Sequence, residues 1–234
     1  DKVAVDPIVS CGECFYCRIG LTCRCEKGNL FGWVEKGHGL NGAQAGYIRV
    51  PMADSTLLPL SQDLTEQKGL LLGDVFSTGY FCADNAGIKP KNVYAVVGCG
   101  PVGLMTVIAA KHLGAEIVFA IDVVPERLAV AKQFGAVPLN SSLLNVKEVI
   151  LNHTHGRGAD AVMEVVGSSA TLKLAIDLIR PAERYHRLVC IQQNIFLFLL
   201  VKRMIKILFT KVVAARPIIM LKSYCVKKCH NVML

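Results

Sequence analysis

Residues 93–122 read VYAVVGCGPVGLMTVIAAKHLGAEIVFAID, and this stretch decides the fold. An apolar run, VYAVV, gives way to Gly98-Cys99-Gly100-Pro101-Val102-Gly103. An apolar segment of helical character follows, and then a second apolar run ending at Asp122. A G-x-G-x-x-G alone is a weak signal. Between a strand and a helix it is specific, because each glycine then has a task. Gly98 permits the tight turn, Gly100 lets the backbone approach a pyrophosphate, and Gly103 lets helix and strand pack closely. Backbone N–H groups at the helix start would meet the phosphates, with Pro101 and Val102 completing the candidate contact set. Asp122 lies 19 residues after Gly103. A carboxylate there accepts hydrogen bonds from both adenosine ribose hydroxyls and repels a 2′-phosphate, so NAD is expected over NADP. Arg127 is within reach of the ribose or of a phosphate edge.

Downstream the alternation continues. The pattern predicts helices over 125–134, 143–152 and 169–179, and strands over AVPL, DAVMEV and LVCI near 188–191. Strands alternating with helices of about ten residues imply βαβ units on a parallel sheet, and hence an α/β fold. Upstream, LTEQKGLLLGDVFSTGYFCADNAG carries apolar residues at helical spacing and is closed by Gly-Ile-Lys-Pro. Residues 1–50 are rich in Gly and Cys, with short alternating runs that read as small strands and loops.

That first segment holds Cys11-x2-Cys14-x2-Cys17-x7-Cys25. Four thiolates on one short loop suit tetrahedral zinc, and four protein ligands leave no open position, so such a site is structural. Cys23 is a spare that could replace Cys25 only by a different loop path. A disulfide cluster or unpaired thiols is the alternative reading.

The net charge of +8 is unevenly placed. Residues 1–183 carry 16 Lys/Arg against 18 Asp/Glu, whereas residues 184–234 carry 10 Lys/Arg and no acid. All 20 glycines lie at or before Gly167. The basicity therefore belongs to the last fifth of the chain and does not mark the whole as a nucleic-acid or membrane binder. No partner of either kind is expected. The longest apolar run, Ile195 to Val201, is far too short to span a bilayer. No secretory signal is legible, and a reduced, cytoplasmic setting is the expectation.

Three ordered segments resemble the zinc-containing, medium-chain alcohol dehydrogenase family: CGECFYCRIGLTCRC its structural-zinc loop, LLLGDVFSTGY the segment between its two domains, and VVGCGPVGL with AIDVVPERL its coenzyme motif. The resemblance covers residues 1 to about 181. It implies a partial GroES-like β domain over 1–70 and a truncated Rossmann domain over 71–191 with about five parallel strands. The tail, 192–234, stays unassigned. It further implies zinc and NAD as cofactors, a small alcohol or aldehyde as substrate, and compatibility with a homo-oligomer. Asp74 matches a catalytic zinc ligand position, and an aspartate there is similar to the branch of fungal alcohol and formaldehyde dehydrogenases. Thr78 matches a contact on the nicotinamide side of the coenzyme. The mechanism implied is Lewis-acid polarisation of the alcohol oxygen by zinc, with hydride transfer to NAD⁺.

The chain also departs from that pattern. The family's other catalytic ligands, a Cys and a Gly-His-Glu upstream of the structural loop, have no counterpart here. His38 in EKGHGLNG reads as a surface loop residue. One carboxylate cannot hold a zinc that takes three protein ligands. The expectation is therefore an oxidoreductase chain that is inactive in this form, with a non-catalytic zinc and dinucleotide binding module as the alternative. The loss of glycine after Gly167, of acid after Glu183 and of periodicity after residue 191 reads as a shifted frame or retained intron, with a genuine divergent tail as the other possibility. Cys225 and the Cys229-His230 pair lack a second paired motif and read as chance.

Overall fold

The computed structural model of the chain describes residues 1–35, 37–181, 187–190 and 211–212. Apart from residues 211–212, the basic tail over 192–234, with Cys225 and Cys229-His230, lies outside the described residues. Two compact units divide between Ser77 and Thr78.

The first unit is built from very short elements: β1 (Val3–Val5), β2 (Ile8–Val9), α1 (Phe15–Arg18), a 3₁₀ turn (Thr22–Arg24), β3 (Asn29–Leu30), β4 (Trp33–Glu35), β5 (His38–Leu40), α2 (Ala53–Thr56), β6 (Leu57–Pro59) and α3 (Glu66–Leu72). The strands pair antiparallel as β1 with β6, β2 with β3 and β4 with β5. Such isolated two-stranded ribbons have little stability of their own. Ile8, Val9, Leu64 and Leu72 are buried, whereas Trp33, Val34 and Tyr47 are exposed.

The expected helix over residues 64–87 is two helices. Thr65 caps α3, its hydroxyl accepting from Lys68 N. The helix stops at Gly73, and α4 (Val75–Ala86) starts afresh. The hydroxyl of Ser77, in the first turn of α4, donates back to the Leu72 carbonyl at 2.7 Å. Helical apolar spacing runs through this break, which is why periodicity alone does not reveal it.

The second unit alternates β7 (Val93–Val97), α5 (Pro101–His112), β8 (Ile117–Asp122), α6 (Pro125–Gln133), β9 (Val137–Asn140), α7 (Val146–His153), β10 (Ala161–Glu164), α8 (Ser169–Leu178), β11 (Arg187–Cys190) and β12 (Lys211–Val212). The strands form one sheet in the order β12-β11-β10-β7-β8-β9, with every neighbouring pair parallel. The α/β reading holds, with six strands among the described residues where about five were expected. Every residue of β7 and β10 is buried, as strands covered on both faces must be. Val97, Phe119, Ile121, Ile150, Val162 and Leu178 form the heart of the core. α7 begins at Val146 instead of 143, because Asn145 caps it by accepting from Glu148 N. Strands β8 and β9 lie to one side of β7 and β10 to the other, so the chain reverses direction of travel at β7. In open α/β sheets the ligand crevice lies at the carboxyl ends of the strands at such a switch point.

Candidate functional site

Two constellations carry chemistry, one in each unit. In the first, Cys14 sits at the start of α1 and Cys25 just beyond the 3₁₀ turn. These two tight turns fold the loop back on itself. The sulfurs of Cys11, Cys14, Cys17 and Cys25 then lie within 4.8 Å of one another, with Cys11 and Cys17 3.9 Å apart. A tetrahedral zinc with Zn–S of about 2.3 Å needs sulfur separations of about 3.8 Å, so the cluster fits the ion with a slight contraction. Backbone N–H groups already point at the sulfurs, Cys11 N at Cys25 Sγ (3.2 Å) and Cys14 N at Cys11 Sγ (3.3 Å). Donors so placed favour thiolates.

The thiols are electrostatically unequal. Backbone N–H groups at Glu26 and Cys17 push Cys14 down to about 6, and those of Glu13 and Cys14 lower Cys11. Desolvation and the neighbouring Cys14 push Cys17 up to about 12, and burial raises Cys25. One thiolate forms readily and the last resists, which is the behaviour of a cluster that needs a cation to ionise fully. Cys23 stands outside the four-sulfur group.

In the second unit, Gly98 takes φ +100°, a conformation open to glycine at no steric cost. A Cβ on Gly103 would strike the Gly98 carbonyl, so helix and strand meet backbone to backbone. A Cβ on Gly100 would meet nothing within 4 Å; the open space lies over the turn, where a pyrophosphate needs it. Gly100 caps α5 and Pro101 occupies its first turn, leaving the helix's first N–H groups aimed at the same space. At the end of β8, Asp122 is only 9% exposed. Its Oδ2 accepts from Cys99 N (2.7 Å), and its Oδ1 accepts from Val123 N (2.7 Å) and Val124 N (2.9 Å). Arg127 Nη1 lies 3.8 Å from Oδ2. Asp122 thus also clamps the turn. The Cys99 thiol, desolvated and beside that carboxylate, is pushed up to about 12 and held protonated.

Thr78 is buried in α4, next to Gly79, where a Cβ would come within 2.6 Å of Thr106 N. Asp74 is exposed just ahead of α4. Among the described residues the four cysteines form the group of three or more side chains able to hold a metal, and Asp74 is not in it. His38 begins β5, paired with Glu35. Sequence reasoning passed over Glu164, a carboxylate buried at the end of β10. Its signal was a charge inside the otherwise apolar AVMEV that follows Asp160.

The sequence profile of the zinc-binding dehydrogenases matches residues 101–207. The alcohol dehydrogenase TADH of Thermus sp. ATN1 superposes with a TM-score of 0.82 at 30% identity, covering 99% of this chain and 68% of that one. The chain belongs to the zinc-binding dehydrogenase family. A medium-chain reductase/dehydrogenase, ucsI, of Acremonium sp. is 43% identical over 189 residues, covering 77% of this chain and 63% of its own length. The zinc-type alcohol dehydrogenase B of Aspergillus flavus is also 43% identical over 189 residues, covering 77% of this chain and 43% of its own length. The chain therefore spans about two fifths to just under two thirds of the length of the curated relatives it matches. The family's metal is zinc, and its coenzyme is a nicotinamide dinucleotide, NADP in one relative solved with it bound. The GroES-like and Rossmann architecture of this oxidoreductase family is the fold described above. No helix among the described residues is long and apolar enough to cross a membrane.

Proposed function

We propose that this chain is an NAD-linked alcohol dehydrogenase-type oxidoreductase that binds one structural zinc and one dinucleotide and, by itself, turns over little or no alcohol. The observation that carries the coenzyme reading is the Gly98–Gly103 turn, open over Gly100 and flanked by the Asp122 carboxylate. Gly98, Gly100, Pro101, Val102 and Gly103 hold the pyrophosphate by backbone groups. Asp122 meets the adenosine ribose with the lone pair its Oδ2 keeps free of backbone, and its negative charge selects against a 2′-phosphate. Arg127 balances that charge from the solvent side. When bound, the dinucleotide supplies a hydride acceptor. Thr78 is the candidate residue on its nicotinamide side.

Cys11, Cys14, Cys17 and Cys25 hold the structural zinc. Asp74 is the candidate ligand for a catalytic zinc; among the described residues it belongs to no group of three or more possible metal ligands, and one carboxylate does not retain a metal that needs three protein ligands. This favours the domain reading of residues 1–70 as a zinc-carrying lobe and 71–191 as a coenzyme domain. The substrate class is a small alcohol or aldehyde, in a cytoplasmic setting. The second reading, a binding module with no reaction of its own, is separated from the first by turnover alone.

The test is metal content and NAD⁺-dependent oxidation of short alcohols measured on the same purified chain. One zinc per chain, NADH binding and no turnover is the expected result. Two zinc ions per chain with turnover would mean that other ligands complete a catalytic centre, and would overturn the inactivity.

A further inference from the structure

The dinucleotide turn has a second wall, built around a buried carboxylate that has no part in the scheme above. Glu164 ends β10 and pairs in register with Val97, the residue before Gly98. It is 1% exposed. Its Oε1 accepts from Val166 N at 2.9 Å and from Gly167 N at 2.8 Å. Burying a carboxylate is costly unless hydrogen bonds compensate, and both of these go to the loop that leaves the strand.

That loop bears on the glycine turn. A Cβ on Gly98 would run into Val166 Cγ2, and one on Gly103 would come within 3.2 Å of Val165 Cγ2. Val166 itself is 49% exposed, so one side of its side chain faces the turn and the other faces solvent. The arrangement mirrors Asp122. On each side of β7 a neighbouring strand ends in a buried carboxylate that binds the N–H groups of the two residues after it or after the next position. Asp122 does this on the β8 side and Glu164 on the β10 side.

We infer that Glu164 is a positioning residue for the dinucleotide: its carboxylate fixes residues 165–167 so that Val166 walls the Gly98–Gly103 turn. The inference rests on the coenzyme reading above. Glu164 acts through the loop and does not touch the ligand, so the shape of its acceptor matters and its charge does not.

The experiment compares wild type, Glu164→Gln, Glu164→Ala and Val166→Gly. NADH binding is followed by nicotinamide fluorescence, and amide exchange at residues 166 and 167 is followed without ligand. A Gln Oε1 still accepts both N–H groups, so Glu164→Gln should bind NADH within about threefold of wild type. Glu164→Ala should bind at least about tenfold more weakly, the worth of one lost buried hydrogen bond, and its loop amides should exchange faster. Val166→Gly keeps the carboxylate and removes the wall, so it should weaken NADH binding even if Glu164→Ala does not fold. Wild-type affinity in Val166→Gly, or a Glu164→Gln variant as weak as Glu164→Ala, would overturn the inference. A wild-type chain that binds no NADH would overturn the coenzyme reading instead. Unchanged loop exchange in Glu164→Ala would overturn the role of Glu164 whatever the wild type binds.

Discussion

The cysteine lobe and the parallel sheet are ordered by different forces. In the lobe, the helix and 3₁₀ turn between Cys11 and Cys25 are four and three residues long, and Thr22 is their one buried residue. In the sheet, β7, β8 and β10 contribute almost wholly buried strands, backed by helices of eight to twelve residues. The lobe has sulfur where the sheet has hydrocarbon. Order in the one therefore depends on a dissociable ion, and order in the other on apolar area, so the two can be taken apart experimentally.

The largest separation comes from removing the metal. Structural zinc contributes an apparent ~10–16 kcal/mol at neutral pH in small metal-ordered folds. A strong chelator should let the amides of residues 11–30 exchange freely while those of β7, β8 and β10 keep their protection. Equal loss in both regions would show that the lobe and sheet are one cooperative block. The converse cut is Ile121→Ala. This side chain is fully enclosed in the sheet core, and its truncation should cost about 2–5 kcal/mol. Chemical denaturation should register the loss while zinc stays at one per chain; loss of zinc would refute the independence.

The same contrast explains what the amino-acid sequence discloses. The sheet was legible because its signal is periodic: strands near 93, 117, 137, 161 and 187 and helices between them follow from apolar spacing and from Gly98, Gly100 and Gly103. The four zinc cysteines were legible because their spacing is short and their chemistry narrow. What escaped depends on hydrogen bonds that spacing does not encode. The Gly73 break hides inside unbroken helical periodicity. Asp122 reads as a ribose ligand, yet the structure adds three backbone N–H groups to its carboxylate. Glu164 offers one stray charge as a clue. Asp74 was read by resemblance, and among the described residues the structure places it in no group of three or more possible metal ligands.

Acidity should also act on one region first. At pH 7 Cys17 and Cys25 keep their protons, the first at about 12 and the second raised by burial, while Cys14, at about 6, is already a thiolate. Zinc must displace at least the two retained protons, so its apparent affinity should rise at least about 100-fold per pH unit between pH 7 and 8. That is about 2.7 kcal/mol per unit. Below about pH 6 Cys14 adds a further proton and the dependence steepens. Competition with a buffered zinc chelator reads the slope; a slope of one or less would mean that fewer than four thiolates hold the ion.

The smallest effect, and the one with a sign to test, concerns buried hydroxyls. In the first unit Thr56 Oγ1 and Ser10 Oγ are buried without a hydrogen-bond partner. Both residues line a hollow of about 250 Å³ that Cys17 also borders. In the second unit Thr154 is equally buried, but its hydroxyl donates to the Ile150 carbonyl at 2.7 Å and accepts from Gly158 N at 2.9 Å. Valine has nearly the shape of threonine without the hydroxyl, so the same substitution reports opposite accounts. Thr154→Val strands the Gly158 N–H and should cost about 1–3 kcal/mol. Thr56→Val removes a desolvated group that has nothing to lose and should be neutral or stabilising by about 1 kcal/mol. Local exchange free energies in each unit measure both. A loss on Thr56→Val as large as that on Thr154→Val would show that the Thr56 hydroxyl has a partner in solution, and the hollow beside it is where that partner, a bound water first of all, should be sought.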